Sequence, residues 1–205
     1  MTRRRLLEIL VAGAVLLLLL TVFLVRPTAH RTEPPPVLLF RPVAGALPDF
    51  TAEGLGRVVA ASPDRDRTAL LYPVEFEESA DLYVLTGPVE GVQFALADSL
   101  AEIMTAKNVG WLDARTLWVT LGWRHGTVSP GGDLYAVDPE TGRGRILWVS
   151  PDSGRTQAVA AAPNPDGRGI TVRLKAFDEA MMTARDSVLT LPRTGRETGG
   201  AVSGH

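Results

Sequence analysis

The sequence has no cysteine in its 205 residues, and this absence excludes several kinds of protein. A disulfide framework, a thiolate zinc site, an iron–sulfur cluster and a covalently attached haem all require cysteine side chains. A lipid anchor attached to cysteine is excluded for the same reason. If this chain forms a domain outside the cytoplasm, that domain is therefore held together by packing alone.

The sequence also lacks the patterns of common catalytic and metal sites. It contains no G-x-S-x-G, P-loop, H-E-x-x-H or S-x-x-K motif. Its three histidines, His30, His125 and His205, lie too far apart in sequence to predict a shared metal site. We therefore predict a protein that is not an enzyme and that holds no cofactor and no metal.

Two alternatives to this prediction concern His125 and the aspartates. His125 lies beside a Gly-rich turn, where it is either a ligand contact or an ordinary hairpin residue. The aspartates fall at turns and strand starts, where Asp accepts hydrogen bonds from the backbone, and a calcium site in these loops is the alternative. They are Asp64, Asp66, Asp81, Asp133, Asp138 and Asp166.

The charge of the chain is small and slightly acidic. The net charge is −2, and residues 1–25 carry +2, so residues 26–205 carry −4. A protein that binds nucleic acid needs a basic face to contact the phosphates. The charge balance therefore predicts no nucleic-acid partner.

One long hydrophobic segment, residues 6–25, predicts a transmembrane helix. Twenty residues at a rise of about 1.5 Å span about 30 Å, the thickness of the hydrocarbon core of a bilayer. Arg3, Arg4 and Arg5 precede the segment, and the positive-inside rule keeps that end in the cytoplasm. We expect a single-pass signal anchor in a bacterial inner membrane, with a periplasmic C-terminal domain. The alternative is a cleaved signal peptide, which would also place the domain outside the cytoplasm.

The anchor contains a patch of small residues, Ala12, Gly13 and Ala14, that could contact another helix.

The segment after the anchor is rich in proline, which predicts a semi-rigid spacer. The last segment of the chain is rich in glycine, threonine and serine, which predicts a flexible tail. The predicted organisation is residues 1–5 as a basic cytoplasmic terminus, 6–25 as the transmembrane helix, 26–36 as the linker, 37–192 as the β domain and 193–205 as the tail.

The region between linker and tail repeats itself three times. Each unit begins with an apolar stretch, continues through a turn and a second strand, and reaches a strand that starts with aspartate. These strands start at Asp81, Asp133 and Asp186, at spacings of 52 and 53 residues. Their content of Val, Leu, Thr, Trp and Tyr predicts small antiparallel sheets, so the fold class is mainly β.

The turns and strands of these units resemble the blades of TolB-like and WD40-like β-propellers. The resemblance covers about residues 57–192 and rests on Ser62-Pro-Asp64, Asp133-Leu-Tyr135 and the turn Asp138–Gly142. It implies a partial propeller or a sandwich-like array, because a closed propeller typically has about 4–8 blades. An array of three units would leave an apolar face uncovered. Either a strand pair from Val37–Phe40 or a partner protein would cover it.

One short helix is predicted in the β domain. Helical spacing is found for the apolar residues Leu96, Leu100, Ile103 and Met104, and the segment Ser99-Leu-Ala-Glu102 resembles a capping box. The segment Phe177–Thr183 is either another helical turn or a hairpin tip. Its two methionines, Met181 and Met182, fill gaps in the core or form a contact surface.

All four tryptophans, Trp111, Trp118, Trp123 and Trp148, lie in or beside the second unit. They form either a strand core or an aromatic patch for protein contact.

The sequence therefore favours a non-catalytic, membrane-anchored accessory or structural subunit of a larger bacterial membrane complex, such as a respiratory or photosynthetic assembly. Its expected partners are the membrane and other protein subunits. The alternative is a free-standing periplasmic domain that binds a ligand or acts as a sensor.

Overall fold

Antiparallel β-strands make up most of the chain that the computed structural model describes, namely residues 35–50, 56–75, 78–87, 90–125 and 129–192. The predicted mainly β, antiparallel class is confirmed. Within the described ranges no helix is long and apolar enough to cross a membrane. The predicted span at 6–25, with Ala12, Gly13 and Ala14, lies outside the described residues.

Two five-stranded sheets and one three-stranded sheet contain all the strands of the described chain. The first sheet has the order β2 (Phe40–Val43), β6 (Gly91–Leu96), β5 (Asp81–Leu85), β4 (Thr68–Tyr72) and β3 (Val58–Ala61). The second has the order β1 (Val37–Leu38), β10 (Arg143–Trp148), β9 (Asp133–Val137), β8 (Thr116–Trp123) and β7 (Met104–Asp113). The third has the order β11 (Thr156–Pro163), β12 (Gly169–Phe177) and β13 (Ala184–Pro192).

Each of the three predicted units lies in a separate sheet. The Asp-led strands are β5, β9 and β13, although β13 begins two residues before Asp186. The turn Asp138–Gly142 leads into β10, which pairs with β9 as a further strand of the second sheet. The resemblance to propeller blades stays a prediction, because the sheets establish antiparallel units and not a ring.

The second sheet lies between the other two, because both of its faces are buried. Alternate residues of β8 point to opposite faces. Leu117 and Val119 pack in one core with residues of the first sheet, such as Leu71. Trp118 packs in another core with residues of the third sheet, such as Ile170.

The outer face of the first sheet is covered by the chain that follows β2. Phe50 packs edge-on against Tyr72 and Tyr83, with ring centroids 5.4 and 4.9 Å apart. Leu47 packs against the same cluster. Burial raises the pKa of Tyr83 to about 12, with smaller contributions from Asp81 and Tyr72. This segment therefore closes one end of the stack.

The outer face of the third sheet is polar where β12 contributes to it. Thr171 and Arg173 are exposed, whereas Val172 between them is buried. At β12 the outer face of the third sheet is therefore not an uncovered apolar surface. A polar outer layer allows a stack of repeats to end without a further repeat.

The segment Val37–Val43 gives one strand to each of the five-stranded sheets. β1 pairs with β10 and β2 pairs with β6. Between them, the backbone N–H groups of Leu39 and Phe40 both donate to the carbonyl of Gly142, at 3.2 and 3.0 Å. Both side chains are almost fully buried. The segment expected to give a strand pair therefore gives two strands that join different sheets and do not pair with each other.

One short helix is present as predicted, but its boundaries and cap differ from the prediction. The helix α1 (Asp98–Ala101) follows Ala97, which is its N-cap and makes no side-chain capping bond. The predicted capping box at Ser99 is wrong because pairing of β6 fixes the chain up to Leu96, and the N–H of Ala97 donates to the carbonyl of Leu39. Met104 begins β7 instead of extending the helix.

The segment between β12 and β13 is a hairpin tip. Asp178 accepts hydrogen bonds from the N–H of Met182 and the hydroxyl of Thr183, at 2.9 and 2.5 Å. The side chain of Met182 is 82% exposed, so its interpretation as a core residue is wrong.

We predict that Gly142→Ala destabilises the domain more than Gly167→Ala. Both glycines have positive φ, 68° and 69°, so each substitution costs about 1–3 kcal/mol from the backbone conformation. A Cβ on Gly142 would also overlap the carbonyl of Phe40, whereas one on Gly167 would meet open space. Urea unfolding of both variants should show an additional loss of about 1–3 kcal/mol for Gly142→Ala. Equal losses would contradict the role of Gly142 at the crossing between the sheets.

Candidate functional site

A cleft of about 330 Å³ opens at one end of the second sheet. It lies where Trp123 ends β8, Met104 begins β7 opposite it, and Asp133 begins β9. The turn between β10 and β11 forms the other wall. We call this site the Trp123 cleft; its lining residues are Met104, Leu121, Gly122, Trp123, Ser129, Gly132, Asp133, Val149, Ser150, Ser153, Gly154 and Gln157.

The rim of the Trp123 cleft exposes large apolar side chains. Trp123 is 52% exposed and Val149 is 49% exposed. Ile103 is adjacent, since its carbonyl accepts the N–H of Arg124, and it is 49% exposed. Exposed apolar residues are ordinary when single, but a group around a tryptophan is typical of a binding surface.

The floor of the cleft is closely packed backbone. A Cβ on Gly132 would overlap the carbonyl of Leu121, and one on Gly122 would overlap that of Gly131. Gly132 also exchanges two hydrogen bonds with Ala158 of β11, at 3.1 and 2.9 Å. The glycines therefore let the backbones of the second and third sheets approach closely beneath the cleft, where a side chain would overlap the neighbouring carbonyl groups.

A buried glutamine connects this floor to the wall. Gln157 is 2% exposed. Its side-chain carbonyl accepts the N–H of Gly131 at 3.1 Å, and its amide donates to the carbonyl of Gly154 at 2.9 Å. Because these bonds satisfy the buried amide, they fix the wall relative to the floor.

Hydrogen bonds to Asp133 and Asp152 hold the wall itself. One carboxylate oxygen of Asp133 accepts the N–H of Ser150 at 2.8 Å. Asp152 accepts the hydroxyl of Ser150 at 3.0 Å, and the N–H and hydroxyl of Thr156 at 2.7 and 2.8 Å. Burial alone would raise the pKa of Asp152, but these hydrogen bonds from Thr156 and Ser150 outweigh it and lower the pKa.

The tip of the wall has an unusual backbone conformation. Ser153 has a φ of 57° and Gly154 a φ of 91°. A left-handed non-glycine residue costs about 1–3 kcal/mol and is found preferentially at functional sites. A Cβ on Gly154 would lie 3.2 Å from the indole nitrogen of Trp123, so the turn lies directly against the indole edge.

The structure separates the four tryptophans predicted as interaction candidates. Trp111 and Trp118 are 7% and 8% exposed. The indole N–H of Trp111 donates to the carbonyl of Ala60 at 2.9 Å, while the ring of Trp118 lies over Gly110. Trp148 is half-buried in the core between the second and third sheets, and Trp123 alone of the four lines the cleft. The group therefore does not form one aromatic patch.

The other candidate residues are placed as follows. His125 is exposed and follows Trp123 closely, but it does not line the cleft. Asp138 and Asp166 accept backbone N–H groups within their own turns. In the described part of the chain, no three His, Asp or Glu side chains are grouped so that they could hold a metal ion.

Sequence reasoning identified Trp123 but missed the cleft around it. The glycines at its floor and the serines of its wall come from three different segments, and their roles depend on pairing across two sheets. The local signals were Gly131-Gly132 before an Asp-led strand and Ser150-Pro-Asp152 after β10, which the sequence presents as ordinary turns.

Comparison with known proteins relates the chain to proteins of undetermined role. Residues 93–187 match a domain of unknown function, DUF4652. This span runs from β6 into β13 and contains every residue that lines the Trp123 cleft. No curated protein matches the chain.

A solved structure with a similar fold comes from Clostridium novyi NT and is described as a conserved lipoprotein. It superposes with a TM-score of 0.64 and 22% sequence identity, covering 78% of this chain and 99% of that chain. At this level of identity the likeness concerns the fold alone.

We predict that Asp152→Asn weakens the wall and reduces the sensitivity of the domain to acid. A carboxyl group whose pKa is lowered on folding stabilises the protein at a pH above the ordinary pKa of that group, 3.8. This stabilisation is lost as the pH falls through the lower pKa of the folded state. An asparagine cannot accept both bonds from Thr156, so the variant should lose about 1 kcal/mol at neutral pH.

Urea unfolding at neutral pH and below pH 3.8 measures both effects. The wild-type protein should lose more stability on acidification than Asp152→Asn. An identical acid response would show that Asp152 does not carry this stabilisation. Asp166→Asn, in an exposed turn of the third sheet, is the matched control for substitution of a turn aspartate.

Proposed function

We propose that this chain is a non-catalytic, membrane-anchored accessory subunit of a bacterial membrane complex, and that its β domain binds a partner protein at the Trp123 cleft. The observation that carries the proposal is the exposure of Trp123, Ile103 and Val149 around a cleft with a closely packed floor. Tryptophan is enriched among residues that dominate binding energy, and a preformed site binds at a lower entropic cost.

The membrane location rests on the sequence and on the similar structure. The Clostridium novyi protein is described as a lipoprotein, a class attached to membranes by a lipid. The present sequence has no cysteine to carry such a lipid. In our proposal, the hydrophobic segment 6–25 provides the attachment instead and places the β domain in the periplasm.

A second candidate function is a free-standing domain that binds a small ligand. The volume of the Trp123 cleft, about 330 Å³, lies at the lower end of the range for small-molecule pockets. A protein partner explains the site better because the apolar rim extends beyond the cleft to Ile103.

The first test is purification of the tagged full chain from its native membranes in mild detergent. We expect a partner protein to co-purify with the wild-type chain, and Trp123→Ala and Val149→Ala to lose most of it. Ile146→Ala is the matched control, because Ile146 is 51% exposed in the same sheet but does not line the cleft. A wild-type chain that purifies only as a monodisperse monomer would disprove the complex.

The second test concerns the orientation of the chain and uses its lack of cysteine. Met182→Cys introduces one thiol at a position that is 82% exposed at a hairpin tip. A membrane-impermeant maleimide should label this thiol in spheroplasts before lysis, and a cysteine placed at Thr2 should be labelled only after lysis. The opposite pattern would reverse the proposed orientation.

A further inference from the structure

The Trp123 cleft carries one ionisable group among its lining residues, and that group is acidic. Among the described residues that line the cleft, Asp133 is the only Asp, Glu, His, Lys or Arg. In the described part of the chain, the hydrogen bond that reaches its carboxylate comes from the N–H of Ser150. A carboxylate can accept several hydrogen bonds, so Asp133 retains capacity for a further donor.

Two basic residues, Arg124 and Arg155, adjoin lining residues in sequence. The guanidinium of Arg124 donates to the carbonyl of Ala101 at 3.1 Å, next to α1. The charge of Arg155 helps to lower the pKa of Asp152, after the larger effects of the hydrogen bonds to that carboxylate. The charge of Asp133 contributes to raising the pKa of Tyr135, after the larger effect of burial. The acidic character of this strand end is therefore not neutralised by a cation in the lining.

An exposed indole beside a carboxylate has a specific preference among ligands. The face of an indole attracts cations, and the attraction grows when the site is partly shielded from water. The apolar side chains of Met104 and Leu121 line the same cleft as Trp123 and Asp133. A neutral ligand would gain the apolar contacts but not the electrostatic ones.

The chain contains an internal example of the same chemistry. The guanidinium of Arg67 lies 5.2 Å from the centroid of the Trp111 ring. The same side chain donates a hydrogen bond to the carbonyl of Ala114. One strand end of this fold therefore already holds an arginine that contacts an indole face and donates to an oxygen.

We propose that the Trp123 cleft binds an arginine or lysine side chain of the partner protein, with the cation between the indole of Trp123 and the carboxylate of Asp133. The flanking residues of the partner are apolar and contact Ile103 and Val149. This inference rests on the proposed function and specifies the chemistry of its partner.

Two peptides that differ only in charge test the inference. Ac-Leu-Arg-Val-NH₂ carries the cation, and Ac-Leu-citrulline-Val-NH₂ replaces it with a neutral group of the same shape. Titration of the ¹⁵N-tryptophan-labelled full chain in detergent would follow the four indole N–H signals, with Trp123 assigned from Trp123→Phe. The signal of Trp111, bonded to Ala60, is an internal control.

We expect the arginine peptide to shift the Trp123 signal and to bind about fivefold more tightly than the citrulline peptide. Asp133→Asn should reduce this ratio to about two, because asparagine keeps an oxygen for the N–H of Ser150 but loses the charge, and the attraction of the indole alone remains. Equal binding of the two peptides by the wild-type chain would overturn the inference. A ratio unchanged in Asp133→Asn would overturn it too.

The peptide result can be separated from the proposed function. If Asp133→Asn keeps the co-purified partner while Trp123→Ala loses it, a cationic contact is wrong and the binding role of the cleft remains. If no partner co-purifies with the wild-type chain, the proposed function fails, whereas peptide selectivity still decides the preference of the cleft for a cation.

Discussion

The carbonyl of Gly142 is the point on which both five-stranded sheets depend. It accepts the N–H groups of Leu39 and Phe40, at the place where the chain leaves the second sheet and enters the first. Only glycine fits, because φ is positive and a side chain would overlap Phe40. This crossing buries Leu39 and Phe40 between the two sheets and pairs the outer edges of β10 and β6. An open array of antiparallel units thereby protects two edges that would otherwise be available for aggregation.

The candidate site follows from the middle position of the second sheet. Its faces are occupied by the first and third sheets, so its accessible surface lies at its strand ends and edges. At one end, β8 extends to Trp123 while β9 begins only at Asp133. The Gly132–Ala158 bridge brings the third sheet against this end and positions the wall held by Asp152 and Gln157. The contacts that hold the second and third sheets together therefore also determine the geometry of the cleft.

The sequence predicted local features of the fold more reliably than long-range ones. Turn chemistry and β-branched runs located the strands of the three units, because both signals depend on neighbouring residues. The helix around Ser99 was predicted too long, since pairing of β6 with a strand more than fifty residues earlier overrides helical spacing. The sequence could not distinguish the buried Trp118, which lies over Gly110, from the exposed Trp123. Both lie on the same strand and differ only in what packs against them. The cleft is assembled from residues 104–157 of separate segments, so no short motif encodes it.

The shortness of β1 has a mechanical consequence. β1 makes two residue pairs with β10, Val37 with Gly144 and Leu38 with Arg143. It is the first strand of the described chain, so tension transmitted along the chain from its N-terminal side would act on these pairs first. After they separate, the load would fall on Leu39, which is 2% exposed and therefore resists extraction from the core. The domain would thus respond to pulling in two steps, an easy release of a few residues followed by a much stiffer resistance. In the membrane-attached arrangement proposed above, the domain would therefore extend by a few residues under tension before its core resists.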